Sequence, residues 1–217
     1  MNQKLIVPSI FAGSHSNLLA TLATINESGV NMVHLDIMDG HLVPNLSFGP
    51  ETVAELRAAS DLFFDTHLML MNPEDFVKKF IDAGSDCLTI HAECSSDIRS
   101  VFDTIKSANR RVGIAINPGT KIDTIIDYLS YVNVVTVMSV WPGFCGQKFE
   151  PSAIDKIKRL AAFRKINNLE FLIEVDGGIN EDNCSICYDV GADIAVVGAS
   201  FFETEDKYNF IKNMKMK

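Results

Sequence analysis

The stretch "SGVNMVHLDIMDG", residues 28–40, joins a glycine typical of a helix end to an apolar β-type run and then to a turn. The same junction recurs at "AGSDCL", residues 83–88, and at "VGADIA", residues 190–195. Glycine commonly follows the last turn of a helix because it adopts the left-handed conformation without steric strain. The recurrence predicts that helices and strands alternate along the chain.

Eight β-type runs separated by amphipathic stretches extend over the sequence: "KLIVPSI", "MVHLDI", "LFFDTHLML", "CLTIHA", "RVGIAI", "VVTVMSV", "EFLIEV" and "DIAVVG". Strand–helix alternation favours a parallel sheet, and nearly continuous apolar strands indicate burial on both faces. Eight units predict an α/β fold, a (β/α)8 TIM barrel formed by one domain, residues 1–217. A doubly wound open sheet is the alternative, but "PSIFAGSHSN" contains no GxGxxG motif.

The composition excludes several classes of partner. The chain has a net charge of −9 and a pI of about 5.0, so we expect no binding to nucleic acid or to an anionic membrane surface. No run approaches the roughly 18 apolar residues of a membrane span, and "MNQKLIVPSIF" lacks signal-peptide features, which predicts a cytoplasmic protein. Cys184 and Cys187 have CxxC spacing without a second pair, so packing within a helix is the favoured interpretation.

Polar residues at the carboxyl ends of the predicted strands define a candidate site, because the active sites of TIM barrels lie there. His34 and Asp36 are two residues apart, so their side chains share the inward face of one strand. His67 lies on the next strand, and Asp176 ends the seventh. Two imidazoles and two carboxylates predict a site for Zn²⁺ or a similar divalent ion. The alternative is a hydrogen-bonded polar layer beneath the loops.

Three methionines follow the same strand pattern. Met38 comes two residues after Asp36, Met69 comes two residues after His67, and Met138 ends the sixth predicted strand. Methionine usually fills hydrophobic cores. Three methionines at the rim of a barrel nevertheless suggest a water-excluding cover over a planar, electron-rich intermediate.

Glycine-rich loops follow the last three predicted strands. They are "PGFCGQ", residues 142–147, "DGGIN", residues 176–180, and "GAS", residues 198–200. In TIM barrels, the loops after strands 7 and 8 and a short helix N-terminus commonly form a phosphate site from backbone N–H groups. The placement of these loops predicts phosphate binding, although glycine also serves ordinary turns.

Long motifs in a fixed order now point to one family. The segments "VPSI", "HLDIMDGHLVPNLSFGP", "DTHLML", "INPGT", "MSVWPGFCGQKF" and "IEVDGGIN" together resemble the ribulose-phosphate 3-epimerase family over nearly the whole chain. The resemblance implies a TIM barrel of the ribulose-phosphate-binding type with a divalent metal, commonly Zn²⁺, with Fe²⁺, Mn²⁺ or Co²⁺ as alternatives. It also implies interconversion of D-ribulose 5-phosphate and D-xylulose 5-phosphate in the pentose phosphate pathway of carbohydrate metabolism.

The resemblance also implies roles for individual residues. His34, Asp36, His67 and Asp176 match the metal ligands, and Asp36 and Asp176 also match the acid–base pair. The residues that match substrate-binding positions are Ser9, Met38, Met69, Met138, Gly143, Phe144, Cys145, Gly146, Gly177, Gly178, Gly198 and Ala199. Epimerisation at C3 removes a proton beside the C2 carbonyl and returns one on the other face, which requires two acid–base groups. The metal would stabilise the enediolate that forms between these steps.

Three residues depart from the family pattern. Cys145 replaces a glycine, Ala199 stands where serine is frequent, with Ser200 as a substitute hydroxyl, and Trp141 stands where a smaller or polar residue is expected. These changes leave D-allulose 6-phosphate 3-epimerase as an alternative function, and a non-catalytic sugar-phosphate-binding barrel as another. A related decarboxylase or synthase is disfavoured, because "LDIMDG" lacks the lysine of their Asp-x-Lys-x-x-Asp motif. We also expect a homo-oligomer.

Overall fold

The computed structural model describes residues 4–216, so the ends of the predicted domain, residues 1–3 and 217, lie outside the described residues. The described chain contains eight strands: β1 Leu5–Pro8, β2 Met32–Met38, β3 Phe63–Met69, β4 Cys87–His91, β5 Arg111–Ile116, β6 Val134–Met138, β7 Leu172–Asp176 and β8 Ile194–Val197. The helices are α1 Leu18–Glu27, α2 Pro50–Ala58, α3 Val77–Asp82, α4 Ile98–Ser107, α5 Ser152–Ile166, α6 Cys184–Asp189, α7 Ala199–Glu203 and α8 Lys207–Met216.

All strand pairs are parallel, and each strand from β2 to β8 pairs with its neighbour in sequence. β8 also pairs with β1, and a single bridge between Ser9 and His34 joins the β1 edge to β2. The sheet therefore forms a nearly closed barrel, and the predicted (β/α)8 fold is confirmed. The connection between β5 and β6 is the exception to the alternation, because it contains only two short 3₁₀ turns, Ile122–Thr124 and Ile126–Tyr128.

The glycines that close the helices adopt the predicted backbone conformation. Gly84 follows α3 with φ of 100°, and Gly191 follows α6 with φ of 118°. A Cβ atom at Gly84 would lie 2.5 Å from Cγ of Arg57, and one at Gly191 would lie 2.5 Å from Cβ of Ala161. Both positions thus require glycine for the left-handed turn and for close packing against a neighbouring helix.

Side chains alternate between the two faces of each strand, which separates the hydrophobic core from the site. On β2, Leu35 and Ile37 are buried in the main apolar cluster with Leu56 of α2, whereas the intervening Asp36 lines a cavity at the mouth of the barrel. Burial of each such leucine or isoleucine contributes about 1.5–3 kcal/mol to the free energy of unfolding. The helices thereby fix the barrel that holds the polar side chains.

Two further features bear on the sequence predictions. Cys184 and Cys187 are fully buried in α6 within the main apolar cluster, as the interpretation of helix packing predicted. Within residues 4–216, no helix combines the length and the apolar character that a membrane span requires.

Candidate active site

The four predicted metal ligands come together at the carboxyl ends of the strands. His34 and Asp36 lie on β2, His67 on β3 and Asp176 at the end of β7. The register places Asp36 directly beside His67, and one donor atom of each of the four residues lies within 4.8 Å of the others. The side chains therefore form a candidate metal site.

Four particular atoms face one another in this cluster. His67 Nδ1 lies 3.6 Å from Asp36 Oδ1, 3.6 Å from Asp176 Oδ2 and 3.4 Å from His34 Nε2. His34 Nε2 lies 3.5 Å from Asp36 Oδ1 and 3.8 Å from Asp176 Oδ2. Donors bound at about 2.0–2.2 Å around a tetrahedral ion are about 3.3–3.6 Å apart. The spacing and the N₂O₂ donor set thus fit a divalent ion such as Zn²⁺.

The electrostatics of the cluster also favour a cation. Burial lowers the pKa of His34, but the Asp36 and Asp65 carboxylates outweigh this effect and raise the pKa well above its ordinary value. Burial likewise lowers the pKa of His67, but the nearby Asp176 and Asp36 carboxylates outweigh this effect and raise the pKa above its ordinary value. Burial raises the pKa of Asp36, but His34 and His67 outweigh this effect and hold the pKa well below its ordinary value. The buried carboxylates therefore favour a positive charge at the facing histidine nitrogens. A dication bound between the four side chains would offset the cost of burying these carboxylates in the same way.

Ser9 contacts the cluster through Asp36. Its hydroxyl donates a hydrogen bond of 2.5 Å to Asp36 Oδ2 and accepts one of 3.2 Å from the backbone N–H of Phe11. Ser9 also lines the cavity in front of the cluster. It is thus placed to orient the Asp36 carboxylate as well as to contact a substrate.

Two buried carboxyl groups that the sequence reasoning missed lie behind His34. Asp65 Oδ2 is 2.7 Å from His34 Nδ1, and Thr136 donates a hydrogen bond of 2.8 Å to Glu174. Burial and the adjacent Asp65 raise the pKa of Glu174 well above its ordinary value, whereas the hydrogen bond with His34 lowers the pKa of Asp65 despite its burial. The carboxylate of Asp65 fixes the His34 ring with Nε2 toward the metal cluster.

A cavity of about 300 Å³ opens in front of the cluster. Of the predicted site residues, only the fully buried His34 and His67 do not line it. The residues at its wall include Asp36, Asp176 and the predicted substrate-binding positions Ser9, Met38, Met69, Met138, Gly143, Phe144, Cys145, Gly146, Gly177, Gly178, Gly198 and Ala199. The three methionines are buried, so an apolar surface lies beside the two carboxylates.

The glycine loops that line the cavity pack closely against each other. Gly177 and Gly178 follow β7 with φ of 117° and 65°. A Cβ atom at Gly178 would lie 2.5 Å from the backbone nitrogen of Phe149 and 2.8 Å from the carbonyl oxygen of Gln147. Only glycine therefore lets the loop after β7 approach the loop after β6 this closely.

Two of the three departures from the family pattern, Cys145 and Ala199, lie at the wall of the cavity. The Ser200 hydroxyl donates a hydrogen bond of 2.7 Å to the carbonyl oxygen of Ile179, so it does not supply the donor that Ala199 lacks. Cys145 is exposed at the cavity wall, where partial desolvation and the nearby Asp36 and Asp176 carboxylates raise the pKa of its thiol, so the thiol is neutral.

Trp141 belongs to a different region. Its exposed ring lies over Gly119, in the connection between β5 and β6, and it is not among the residues that line the cavity. The unusual residue is therefore placed beside the site rather than in it.

Comparison with known proteins agrees with this geometry. The family model described as the ribulose-phosphate 3 epimerase family matches residues 5–202. A ribulose-phosphate 3-epimerase from Chlamydia muridarum is 41% identical over 207 residues, covering 94% of this chain and 90% of that protein. One from Aquifex aeolicus is 37% identical over 203 residues, covering 94% and 91%.

A solved structure supports the fold alone. The 3-keto-L-gulonate-6-phosphate decarboxylase from Vibrio cholerae aligns with a TM-score of 0.73 at 11% identity, covering 100% of this chain and 97% of that one. With the barrel, the ligand cluster and the sequence relatives taken together, the chain belongs to the ribulose-phosphate 3-epimerase family and is an enzyme of that type.

Proposed function

We propose that the enzyme interconverts D-ribulose 5-phosphate and D-xylulose 5-phosphate by moving a proton at C3. The observation that carries the proposal is that Asp36 from β2 and Asp176 from β7 both line the cavity, while the buried His34 and His67 lie next to them. Two carboxylates on different strands can approach C3 from different sides, which inversion requires.

Each carboxylate has one role in each direction of the reaction. One begins ionised and removes the C3 proton, while the other begins protonated and delivers a proton to the opposite face. The roles exchange when the reverse reaction runs. The hydrogen bond from Ser9 holds Asp36 in a fixed orientation, so its second oxygen faces the histidines. A fixed carboxylate favours proton transfer because little reorganisation precedes it.

His34, Asp36, His67 and Asp176 would hold the divalent ion, for which Zn²⁺ is the expected metal and Fe²⁺, Mn²⁺ or Co²⁺ the alternatives. When bound, the ion supplies Lewis acidity for negative charge that develops on the C2 oxygen. Met38, Met69 and Met138 exclude water from this region. Low water content strengthens the electrostatic interactions of the site.

The far end of the substrate is held by the glycine loops. The residues assigned to the phosphate are Gly143, Phe144, Cys145, Gly146, Gly177, Gly178, Gly198 and Ala199. Backbone N–H groups bind phosphate without a cationic side chain, which suits a chain with a net charge of −9. This anchor would fix C3 between the two carboxylates. Four expectations stay predictions from the sequence: a cytoplasmic location, a place in the pentose phosphate pathway, a single domain and a homo-oligomeric state.

Gly178→Ala is expected to lower kcat/KM for D-ribulose 5-phosphate by about 10-fold or more. The new Cβ would overlap the backbone of Phe149 and Gln147, so the phosphate loop must shift, and displacement of an anchored substrate reduces the rate steeply. Gly29→Ala is the matched control, since Gly29 also has positive φ, 78°, but it does not line the cavity and its Cβ would come no closer than 3.4 Å to the Tyr208 ring. Equal losses in steady-state kinetics of the two variants would contradict this explanation.

The choice of sugar is tested by comparing kcat/KM for D-ribulose 5-phosphate with that for D-allulose 6-phosphate. The relatives described above are ribulose-phosphate 3-epimerases, so we expect the five-carbon sugar to be preferred by about 10-fold or more, within the range that one additional carbon unit produces. Equal or greater activity with the six-carbon sugar would overturn the substrate assignment and leave the C3 chemistry in place.

A further inference from the structure

His91 lies directly behind His67, on the side away from the carboxylates. His67 Nε2 is 2.8 Å from His91 Nε2, and the two rings are inclined by 13° with centroids 4.9 Å apart. Both side chains are fully buried. This geometry suits a hydrogen bond close to the plane of both rings. His67 thus presents Nδ1 to Asp36 and Asp176 while its other nitrogen is engaged.

A second contact extends the chain of hydrogen bonds to Glu93. His91 Nδ1 is 3.0 Å from Glu93 Oε2. The other carboxylate oxygen, Oε1, accepts a hydrogen bond of 2.9 Å from the backbone N–H of Asn117 and another from the Thr120 hydroxyl. The connection between β5 and β6, which lacks an α-helix, therefore anchors the carboxylate.

The position of each proton along these hydrogen bonds follows from Glu93, the last residue in the series. Burial raises the pKa of Glu93, but hydrogen bonds from His91, Thr120 and Asn117 lower it to about 2, so the carboxylate only accepts hydrogen bonds. His91 must then carry its proton on Nδ1, which leaves Nε2 as an acceptor. His67 must donate from Nε2, which leaves Nδ1 as the nitrogen that faces the carboxylates and would ligate a divalent ion between them.

We propose that His91 and Glu93 are positioning residues that hold His67 in the tautomer whose Nδ1 binds the metal. His34 provides the contrast, because Asp65 binds its Nδ1 and leaves Nε2 for the cluster. The two histidines thus use different ring nitrogens, and each has its own partner on the opposite nitrogen. Such partners typically change metal affinity by about 10- to 100-fold. This inference rests on the metal site of the proposed function.

Glu93→Gln tests the proposal because the glutamine NH₂ can donate a hydrogen bond to His91 Nδ1. The proton of His91 would then lie on Nε2, and that of His67 would move to Nδ1, the nitrogen proposed to bind the metal. Co²⁺ affinity, measured by absorption during titration of the metal-free protein, is expected to fall by about 10- to 100-fold. Glu93→Asp keeps an acceptor-only group and is expected to recover part of the affinity. Glu55→Gln, at an exposed position on α2, removes the same charge and is expected to bind as the wild type does.

Histidine ring ¹⁵N NMR of the Zn²⁺-loaded wild type gives an independent test without any substitution. The expected spectrum assigns the metal to Nδ1 of His67 and a proton to its Nε2. Coordination through Nε2, or wild-type Co²⁺ affinity in a folded Glu93→Gln variant, would overturn the positioning role alone. Failure of the wild type to bind Co²⁺ would overturn both this role and the proposed metal site.

Discussion

Asp176→Asn and Asp36→Asn are each expected to reduce kcat for epimerisation by about 10³-fold, because each removes one of the two proposed proton carriers. Asparagine keeps the size of the side chain and one oxygen that can still ligate a metal, so the fold and much of the site persist. The measurement is steady-state conversion of D-ribulose 5-phosphate, with circular dichroism and metal analysis of each variant.

Asp61→Asn is the matched control for both substitutions. Asp61 is exposed, comes just before β3 and does not line the cavity. The kcat of the Asp61→Asn variant is therefore expected to equal that of the wild type. Near wild-type epimerisation by either Asp36→Asn or Asp176→Asn would contradict the scheme with two carboxylates.

Removal of divalent metal by chelation is expected to reduce activity by at least about 10²-fold, which corresponds to about 2.7 kcal/mol of transition-state stabilisation. The apolar cluster around the barrel does not include the four proposed ligands, so far-UV circular dichroism is expected to remain unchanged. Tm is expected to fall on chelation, because a ligand that binds only the native state stabilises it.

Adding a divalent metal back to the chelated protein distinguishes loss of the metal from other effects of the chelator. Zn²⁺, Co²⁺, Mn²⁺ or Fe²⁺ is expected to return activity, whereas Mg²⁺ is not, since two imidazole nitrogens suit transition metals and Mg²⁺ prefers oxygen ligands. A protein that is free of metal and fully active would rule out the proposed metal role.

The sequence was sufficient for the features that depend on local pattern. Eight apolar runs separated by amphipathic stretches predicted the barrel, and the two-residue period placed His34, Asp36 and Met38 on one inward face. The same period was present at Asp65 with His67 and at Glu174 with Asp176, so the deeper carboxyl groups were detectable in principle.

Other features depend on distances that no pattern contains. His91 was visible as a polar strand end, but its contact with His67 requires the registers of β3 and β4 and the rotamers of both rings. The Ser200 hydroxyl was considered as a phosphate donor, and only its contact with Ile179 showed that it is engaged. Closure of the barrel through one bridge at Ser9 likewise follows from packing rather than from composition.

The most direct test of the central claim is exchange of the C3 hydrogen with solvent in D₂O, followed by NMR for both pentulose phosphates. The wild type is expected to place one solvent deuteron at C3 of each product molecule. Asp36→Asn and Asp176→Asn are expected to exchange the C3 hydrogen of opposite epimers, because each keeps the base for one face only. Conversion by the wild type without deuterium at C3, or the same epimer exchanged by both variants, would contradict proton transfer by two opposed carboxylates.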